Sequence, residues 1–448
     1  MSCSIIPPHI LRALSRSGDP LLEDAARLTM EHDALLRRTR LGTDAAGPTA
    51  VRPRRRKGAA AEPVAHRSIH DAESGTTLPG ALVRAEGADP TGDVAVDEAY
   101  DGLGATWDLW HAVYGRDSLD AKGLPLVASV HYAKEYDNAF WDGDQMVFGD
   151  GDGVIFQRFT ASLDVIGHEL AHGVTQYTSG LAYRDQPGAL NEHISDVFGV
   201  LVKQRSLGQA AADADWLIGA ELLAPGVQGR ALRSMIEPGT AYDDPRLGKD
   251  PQPAHMRDYV ETSSDHGGVH INSGIPNRAF AFAALAMGGN AWESAGQIWV
   301  DAILGDIAAD CDFATFAQLT VAAATARFGL ESPQTQAVLV GWREVGVLAP
   351  ASPGAATSVT VRRTGGFAGV TRERTVALQD LPAKDAKAWT SLLAGKSLHR
   401  AAAAGEAATH PDAFSYDVEC AHPAVAVTIP EPALTDRTRR LLDRTLEA

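Results

Sequence analysis

Cysteine is scarce in this chain. Cys3, Cys311 and Cys420 are spread over 448 residues, too far apart and odd in number for a disulfide framework, and they suit reduced thiols. Long apolar runs are missing too. The most apolar stretch, Ala279 to Met287, is far shorter than the roughly 20 residues a membrane-spanning helix needs, so a buried helix is expected there. Positive charge is in deficit: 40 Lys and Arg against 57 Asp and Glu leave a net charge of -17. That balance argues against nucleic acid or an anionic membrane as a partner, since either needs a basic footprint. Residues 1–9 lack a basic start and are interrupted by Pro7 and Pro8. No secretory signal is therefore expected, and the expected location is cytoplasmic, or exported without a standard signal peptide. Internal repeats are absent.

The length exceeds one ordinary core, so two or more domains are expected. Ile10, Leu11, Leu14, Leu21, Leu22, Ala25, Ala26 and Leu28 recur at near-helical spacing and predict helix within residues 1 to about 40. From Arg37 to Lys57 the chain is basic, with Gly and Pro but few large apolar residues. This stretch is either a solvated connector or a place for proteolytic nicking. Between 62 and about 160 a helical stretch, Val96 to Tyr114, precedes β-like runs such as Leu126 to Tyr132, with turns at Asp142-Gly143-Asp144 and over 149–153. Residues 160–348 are expected to be mainly helical. A Pro/Ala/Gly/Ser connector near 349–356 leads to a further unit, 357–448, which opens on the alternating strand Ser358 to Arg362 and closes in a charged helix from about Ala433.

Chemistry is concentrated in His168-Glu169-Leu170-Ala171-His172 and Asn191-Glu192-His193-Ile194-Ser195-Asp196. Two histidines four apart on a helix lie one turn above the other on one face, so both imidazoles can reach one ion. Glu169 sits one position round, close enough to take a proton but angled off the ligand direction. A catalytic zinc keeps three protein ligands and an open position. Glu192 is far enough along for the chain to turn at Tyr177-Thr178-Ser179-Gly180 and return with an inward face of its own. Asp196 shares that face and can hold the second nitrogen of a ligating histidine. A third block, Asp265-His266-Gly267-Gly268-Val269-His270, bends before a histidine that can donate to an oxyanion, with Asp265 placed to orient it and raise its pKa.

On these motifs, residues from about 66 to 348 resemble the thermolysin-like zinc metalloendopeptidases, with HELAH, NEHISD and DHGGVHINSG as the matching signatures. The resemblance implies an α+β fold. Its peptidase would be two-lobed, with a β-rich N-terminal lobe (62–178), a helical C-terminal lobe (179–348) and a zinc site on the helices between them. A small α+β domain would follow at the C-terminus. It also implies His168, His172 and Glu192 as zinc ligands, Glu169 as general base, Tyr183 and His270 as transition-state donors, and Asp196, Asn191 and Asp265 as their supports. Asn138 and Ala139 would hold the substrate backbone by strand addition. Arg233 would grip the carbonyl after the scissile bond. The pocket for the residue after the cut maps onto Phe156, Phe159, Val165, Ile218, Leu222 and Leu232, all apolar, which implies cleavage before apolar residues.

The chain also departs from that family's pattern. Where family members carry acidic calcium ligands it keeps Asp164 and Asp215 but has Lys203, Leu217 and Ala220, and a second calcium loop is lost at Leu223, Ala224 and Arg230. Calcium is therefore not expected to be required.

Both ends carry further resemblances. Ile6-Pro7-Pro8-His9-Ile10-Leu11 resembles the short propeptide of the protealysin subgroup, so residues 1–61 would be a propeptide and basic linker covering the cleft until cut. The C-terminal unit, with Thr364 to Arg372, Pro411-Asp412 and Phe414-Ser415-Tyr416, resembles emfourin, a protein inhibitor of such peptidases. The expected function is a zinc-dependent neutral endopeptidase made as a precursor and restrained by its fused inhibitor-like unit. The alternative is a peptidase permanently blocked by that unit and acting as a regulatory binding module. Peptide substrates, the propeptide and the C-terminal domain are the expected partners.

Overall fold

In the computed structural model the described residues are 3–43, 63–349, 358–365, 371–393, 398, 401–402, 414–420 and 425–447. Most of the basic linker, the connector after Ala349, residues 366–370 and Pro411-Asp412 lie outside them. The chain divides into two units, Met1–Ala349 and Pro350–Ala448.

In the first unit, strands β1 (Cys3–Ser4), β2 (Arg67–Asp71), β3 (Ala81–Ala85), β4 (Leu126–Val130), β5 (Ala139–Trp141) and β6 (Met146–Phe148) form one sheet in the order β1-β5-β6-β4-β2-β3. The central β4 is almost wholly buried, as its run of β-branched and small residues demands. The expected leading helix is present as α1 (Pro8–Leu14) and α2 (Pro20–Thr43). Pro8 opens α1, where a missing N–H costs nothing. Strand β1 was not anticipated, because two residues carry no periodicity. It pairs antiparallel with β5, Cys3 opposite Trp141 and Ser4 opposite Phe140.

Helix α3 (Val94–Asp108) starts where the Asp93 carboxylate accepts the N–H groups of Ala95 and Val96, and it buries Val96, Ala99, Tyr100 and Leu103. Beside it, His131 is clamped between Asp150 (2.9 Å) and Asp93 (3.2 Å). The hydrogen bond to Asp150, together with the charges of Asp150, Asp93 and Asp71, outweighs burial and raises its pKa to about 9. A pKa raised on folding gives stability that is complete below the unfolded value of about 6.5 and is lost as pH rises through the folded value. After discounting for solvent screening, His131→Gln is expected to cost about 1 kcal/mol near pH ~6 and less than half of that near pH ~10. Denaturant unfolding at the two pH values checks this; equal losses would contradict it.

The rest of the first unit contains α4 (Leu163–Gln176), α5 (Asp185–Leu207), α6 (Asp265–Asn272), α7 (Gly274–Met287), α8 (Ala295–Ile303), α9 (Phe313–Phe328) and α10 (Pro333–Glu344). The expectation of mainly helix over 160–348 needs correction between 208 and 264. That stretch holds turns and the two-residue strands β7 (Leu217–Ile218), β8 (Arg233–Ser234), β9 (Asp243–Asp244) and β10 (Gly248–Lys249). Its Pro225-Gly226, Pro238-Gly239 and Asp244-Pro245 pairs break any helix. Helix α4 stops at Gln176, and Gly180, at φ 58°, returns its N–H to the Thr175 carbonyl at 2.9 Å.

Two glycines set the approach of α4 to α5. A Cβ on Gly167 would stand 3.1 Å from the Gly199 Cα, and one on Gly199 would stand 2.4 Å from the Asp164 carbonyl oxygen. Any larger residue at 199 would push the helices apart, and with them the side chains that face each other across the seam.

The second unit is a four-stranded antiparallel sheet, in the order β12-β11-β13-β14, of β11 (Ser358–Thr364), β12 (Arg372–Ala377), β13 (Ser415–Cys420) and β14 (Val425–Pro430). With α11 (Ala383–Leu393) and α12 (Asp436–Glu447) it buries a separate core of Val359, Val361, Trp389, Tyr416, Val418, Ile429 and Leu442. The closing helix begins at Asp436, not Ala433, because Glu431–Ala433, which includes Pro432, forms a single 3-10 turn first.

Candidate active site

Close packing of α4 on α5 brings His168, His172 and Glu192 together, all buried. The Nε2 atoms of the two histidines are 3.1 Å apart, and the Glu192 oxygens lie 3.4 Å from His168 Nε2 and 3.5 Å from His172 Nε2. Each ring is held by its other nitrogen: His168 Nδ1 lies 2.8 Å from Asp196 Oδ1, and His172 Nδ1 lies 2.8 Å from Asn191 Oδ1 and 3.0 Å from Ser195 Oγ. Donation from both Nδ1–H groups turns both Nε2 lone pairs inward. Glu192 Oε2 has no hydrogen-bond partner. Two imidazole nitrogens and a carboxylate, converging with an orphaned buried oxygen, fit a zinc ion with one position left open.

His168, Glu169 and His172 also present ligand atoms within 4.8 Å of one another, which would make Glu169 a rival third ligand. Its Oε2, however, accepts the Trp141 backbone N–H at 2.9 Å. Glu192, which approaches both Nε2 atoms, is the better third ligand, and Glu169 Oε1 is left unpartnered. Burial pushes the Glu169 carboxyl up to about 8, so it binds a proton readily. Burial also opposes the charged form of Asp196, but Arg233 and His168 hold its carboxyl well below the usual range. Arg233 donates to both Asp196 oxygens at 2.9 and 2.7 Å, and Asn277 Nδ2 donates to Oδ2 at 2.8 Å.

His270 reaches the same point from α6. Inside that helix His266, Gly267 and Gly268 have φ of 51°, 90° and 77°, and a Cβ on Gly267 would lie 2.2 Å from Asp185 Oδ1. The expected glycine bend is therefore real and has no room for a side chain. Asp265 accepts from His270 Nδ1 at 2.7 Å and from its backbone N–H at 3.0 Å. Burial lowers the His270 pKa, but Asp265 and Glu192 more than offset it and raise it to about 9. Tyr183 Oη hydrogen-bonds to Glu192 and lies 3.3 Å from His270 Nε2.

The cleft is lined by this chain's own first residues. Ile5 N–H donates to the Ala139 carbonyl at 3.1 Å, and Ile6 N–H to Asn138 Oδ1 at 3.0 Å. His270 Nε2 lies 3.1 Å from the Ser4 carbonyl oxygen, and Arg233 Nη1 donates to the Ile5 carbonyl at 3.3 Å. Ile5 and Ile6 are fully buried, in the same apolar cluster as Phe156, Phe159, Val165, Ile218, Leu222 and Leu232.

At the site of the missing acidic residues, Lys203 Nζ lies 3.1 Å from Asp164, 3.2 Å from Asp215 and 3.6 Å from Glu221. Leu217 and Ala220 supply no oxygen from their side chains. Sequence reasoning missed Glu221 here, and likewise Ser195, Asn277 and the Trp141 N–H. Only Ser195 had a signal, its place inside the NEHISD block four residues after Asn191 on one face of α5; the others lie at no interval that marks them.

Residues 65–176 match the family described as thermolysin metallopeptidase, catalytic domain, and residues 179–347 its alpha-helical domain. Residues 361–446 match emfourin. The chain is 52% identical over 348 residues to an extracellular metalloprotease of Pectobacterium carotovorum subsp. carotovorum, across 77% of this chain and 96% of that protein. It is 48% identical over 346 residues to protease PrtS of Photorhabdus sp. (strain Az29), across 77% and 91%. Among solved structures it is similar to the precursor of protealysin, a metalloproteinase from Serratia proteamaculans, with a TM-score of 0.69 and 53% identity over 77% of this chain and all (100%) of that one.

Proposed function

Since the chain belongs to the thermolysin family of metallopeptidases, and as such is a zinc-dependent neutral endopeptidase, we propose that it is made as a precursor whose own N-terminal segment blocks the cleft. Once the linker near 41–65 is cut, the enzyme cleaves peptide bonds before apolar residues. One observation carries this reading. Ser4, Ile5 and Ile6 run antiparallel to β5 with Ile5 buried in the apolar core and its carbonyl on Arg233, as a substrate would lie with its scissile bond between Ser4 and Ile5.

His168, His172 and Glu192 hold the metal, with Asp196 and Asn191 fixing the rings. When bound, the zinc ion supplies Lewis-acid activation of water and of the scissile carbonyl. Glu169 takes the proton of the attacking water and passes it to the leaving amine. His270, kept charged by Asp265, and Tyr183 donate to the oxygen that becomes negative. Asn138 and Ala139 hold the substrate backbone as an added strand, and Arg233 holds the carbonyl after the cut. An apolar residue after the cut is expected to be favoured over an acidic one by about 100-fold in kcat/KM, read on matched quenched peptides. Equal rates would remove the pocket assignment.

The emfourin domain adds a second restraint. Tethered to its target, it acts at a high effective concentration, and deleting residues 357–448 is expected to raise the activity of the processed enzyme. Unchanged turnover would contradict inhibition by this domain. The matched emfourin domain also supports a second reading, permanent blockage by that domain, in which the protein stays full length and silent and acts as a regulatory binding module.

Calcium is not required in this reading. The Lys203 ammonium pairs with Asp164, Asp215 and Glu221 and stands where an ion would otherwise be needed. Lys203→Met would leave Asp164 buried and unpaired, and is expected to cost about 3 kcal/mol in denaturant unfolding, while added calcium leaves the parent Tm unchanged. A calcium-dependent Tm in the parent would contradict this account. No helix among the described residues is long and apolar enough to cross a membrane. The proposed location is extracellular, as the name of the Pectobacterium relative states for that protein, with the cytoplasm as the alternative, and no nucleic-acid partner is proposed.

A further inference from the structure

Asp33 of helix α2 is buried, 6% exposed, against the loop that leads into β5. Its Oδ1 accepts from Tyr136 Oη at 2.6 Å and its Oδ2 from Asn138 Nδ2 at 3.1 Å. Both donors are themselves buried, Tyr136 at 1% and Asn138 at 0% exposure. The orientation of Asn138 is imposed. Its Oδ1 already accepts the N–H groups of Ile6 and Ala139, at 3.0 and 3.1 Å, so its amide nitrogen must point the other way. The Tyr136 ring packs edge-on to Tyr132 and Phe140, which aims its hydroxyl at the same place. Two donors thus converge on one carboxylate, and each would be costly to leave without an acceptor.

When the N-terminal segment leaves the cleft, Asp33 leaves with it and the two donors remain. We propose that Tyr136 Oη and Asn138 Nδ2 form a carboxylate-binding site on the primed side of the cleft, filled by Asp33 in the precursor and by an acidic side chain of the substrate in the processed enzyme. The inference rests on the substrate-like placement of Ser4 to Ile6. With Ile5 and Ile6 in the first two positions after the scissile bond, a substrate that continues antiparallel, advancing ~3.3 Å per residue, brings its third residue opposite Asp137 and Tyr136.

The test uses two quenched peptides, identical except for Glu or Gln at the third residue after the cut, offered to the full-length protein after it has lost its N-terminal segment and to its Tyr136→Phe form. The Glu peptide is expected to be cleaved about tenfold faster in kcat/KM, mainly through KM, with the ratio falling toward one in Tyr136→Phe. Equal rates for the two peptides on the parent enzyme would overturn the carboxylate site and leave the peptidase standing. A preference of the same size that survives Tyr136→Phe would also overturn it. Hydrolysis of neither peptide, with residues 357–448 present or deleted, would overturn both the site and the function it rests on.

Discussion

Glu169→Ala is expected to keep zinc and to lose at least about 10³-fold in peptide hydrolysis, together with any self-processing. The carboxylate is buried in the cleft with an oxygen to spare. Oε2 is occupied by the Trp141 N–H and Oε1 has no partner, so removal of the side chain deletes a proton carrier but none of His168, His172 and Glu192. Metal content measured beside the rate separates the two roles. A variant that lost zinc in proportion to activity would make Glu169 a ligand, and one that still shortened its own chain in a pure sample would remove it as the base.

Ile5→Asp is expected to open the precursor. Ile5 is fully buried with its carbonyl on Arg233. The substitution forfeits about 2 kcal/mol of apolar burial and forces either a buried unpaired charge or undocking of the segment. A change of about 3 kcal/mol or more shifts the docked fraction over a hundredfold, so hydrolysis by the uncut chain should rise at least about tenfold. The initial rate, with intact mass confirming that residues 1–62 are still attached, reads this directly. An uncut Ile5→Asp protein as silent as the parent would mean that something other than this segment closes the cleft. The emfourin domain would be the next candidate, through the deletion already described.

What could be read from the sequence was what helical periodicity makes local. His168 and His172 are one turn apart, and Glu192 and Asp196 one turn apart on the next helix; those two intervals put each pair on one face of its helix. The apolar alternation of β11 likewise placed Val359 and Val361 inside. The rest depends on contacts without a period. A two-residue strand at Cys3–Ser4 has no pattern to detect, and Asp33 meets Tyr136 and Asn138 from over a hundred positions away. Gly167 and Gly199 look like weaknesses in two helices until the helices are laid together. Lys203 stood out as a departure from acidic neighbours, but Glu221 could be recognised as its partner only once the loop after β7 was folded back. The stretch 208–264 was misjudged because short apolar runs such as Leu222-Leu223-Ala224 resemble helix between the Pro-Gly pairs that cut it.

The central claim, a zinc endopeptidase held shut by its own first residues, is tested most directly by following intact mass and hydrolysis of a peptide with Leu after the cut in one sample of the full-length protein. The account requires that activity appear only as residues up to about 62 are lost, with both changes rising together and both absent after zinc removal. Full activity from a chain that stays intact would contradict it.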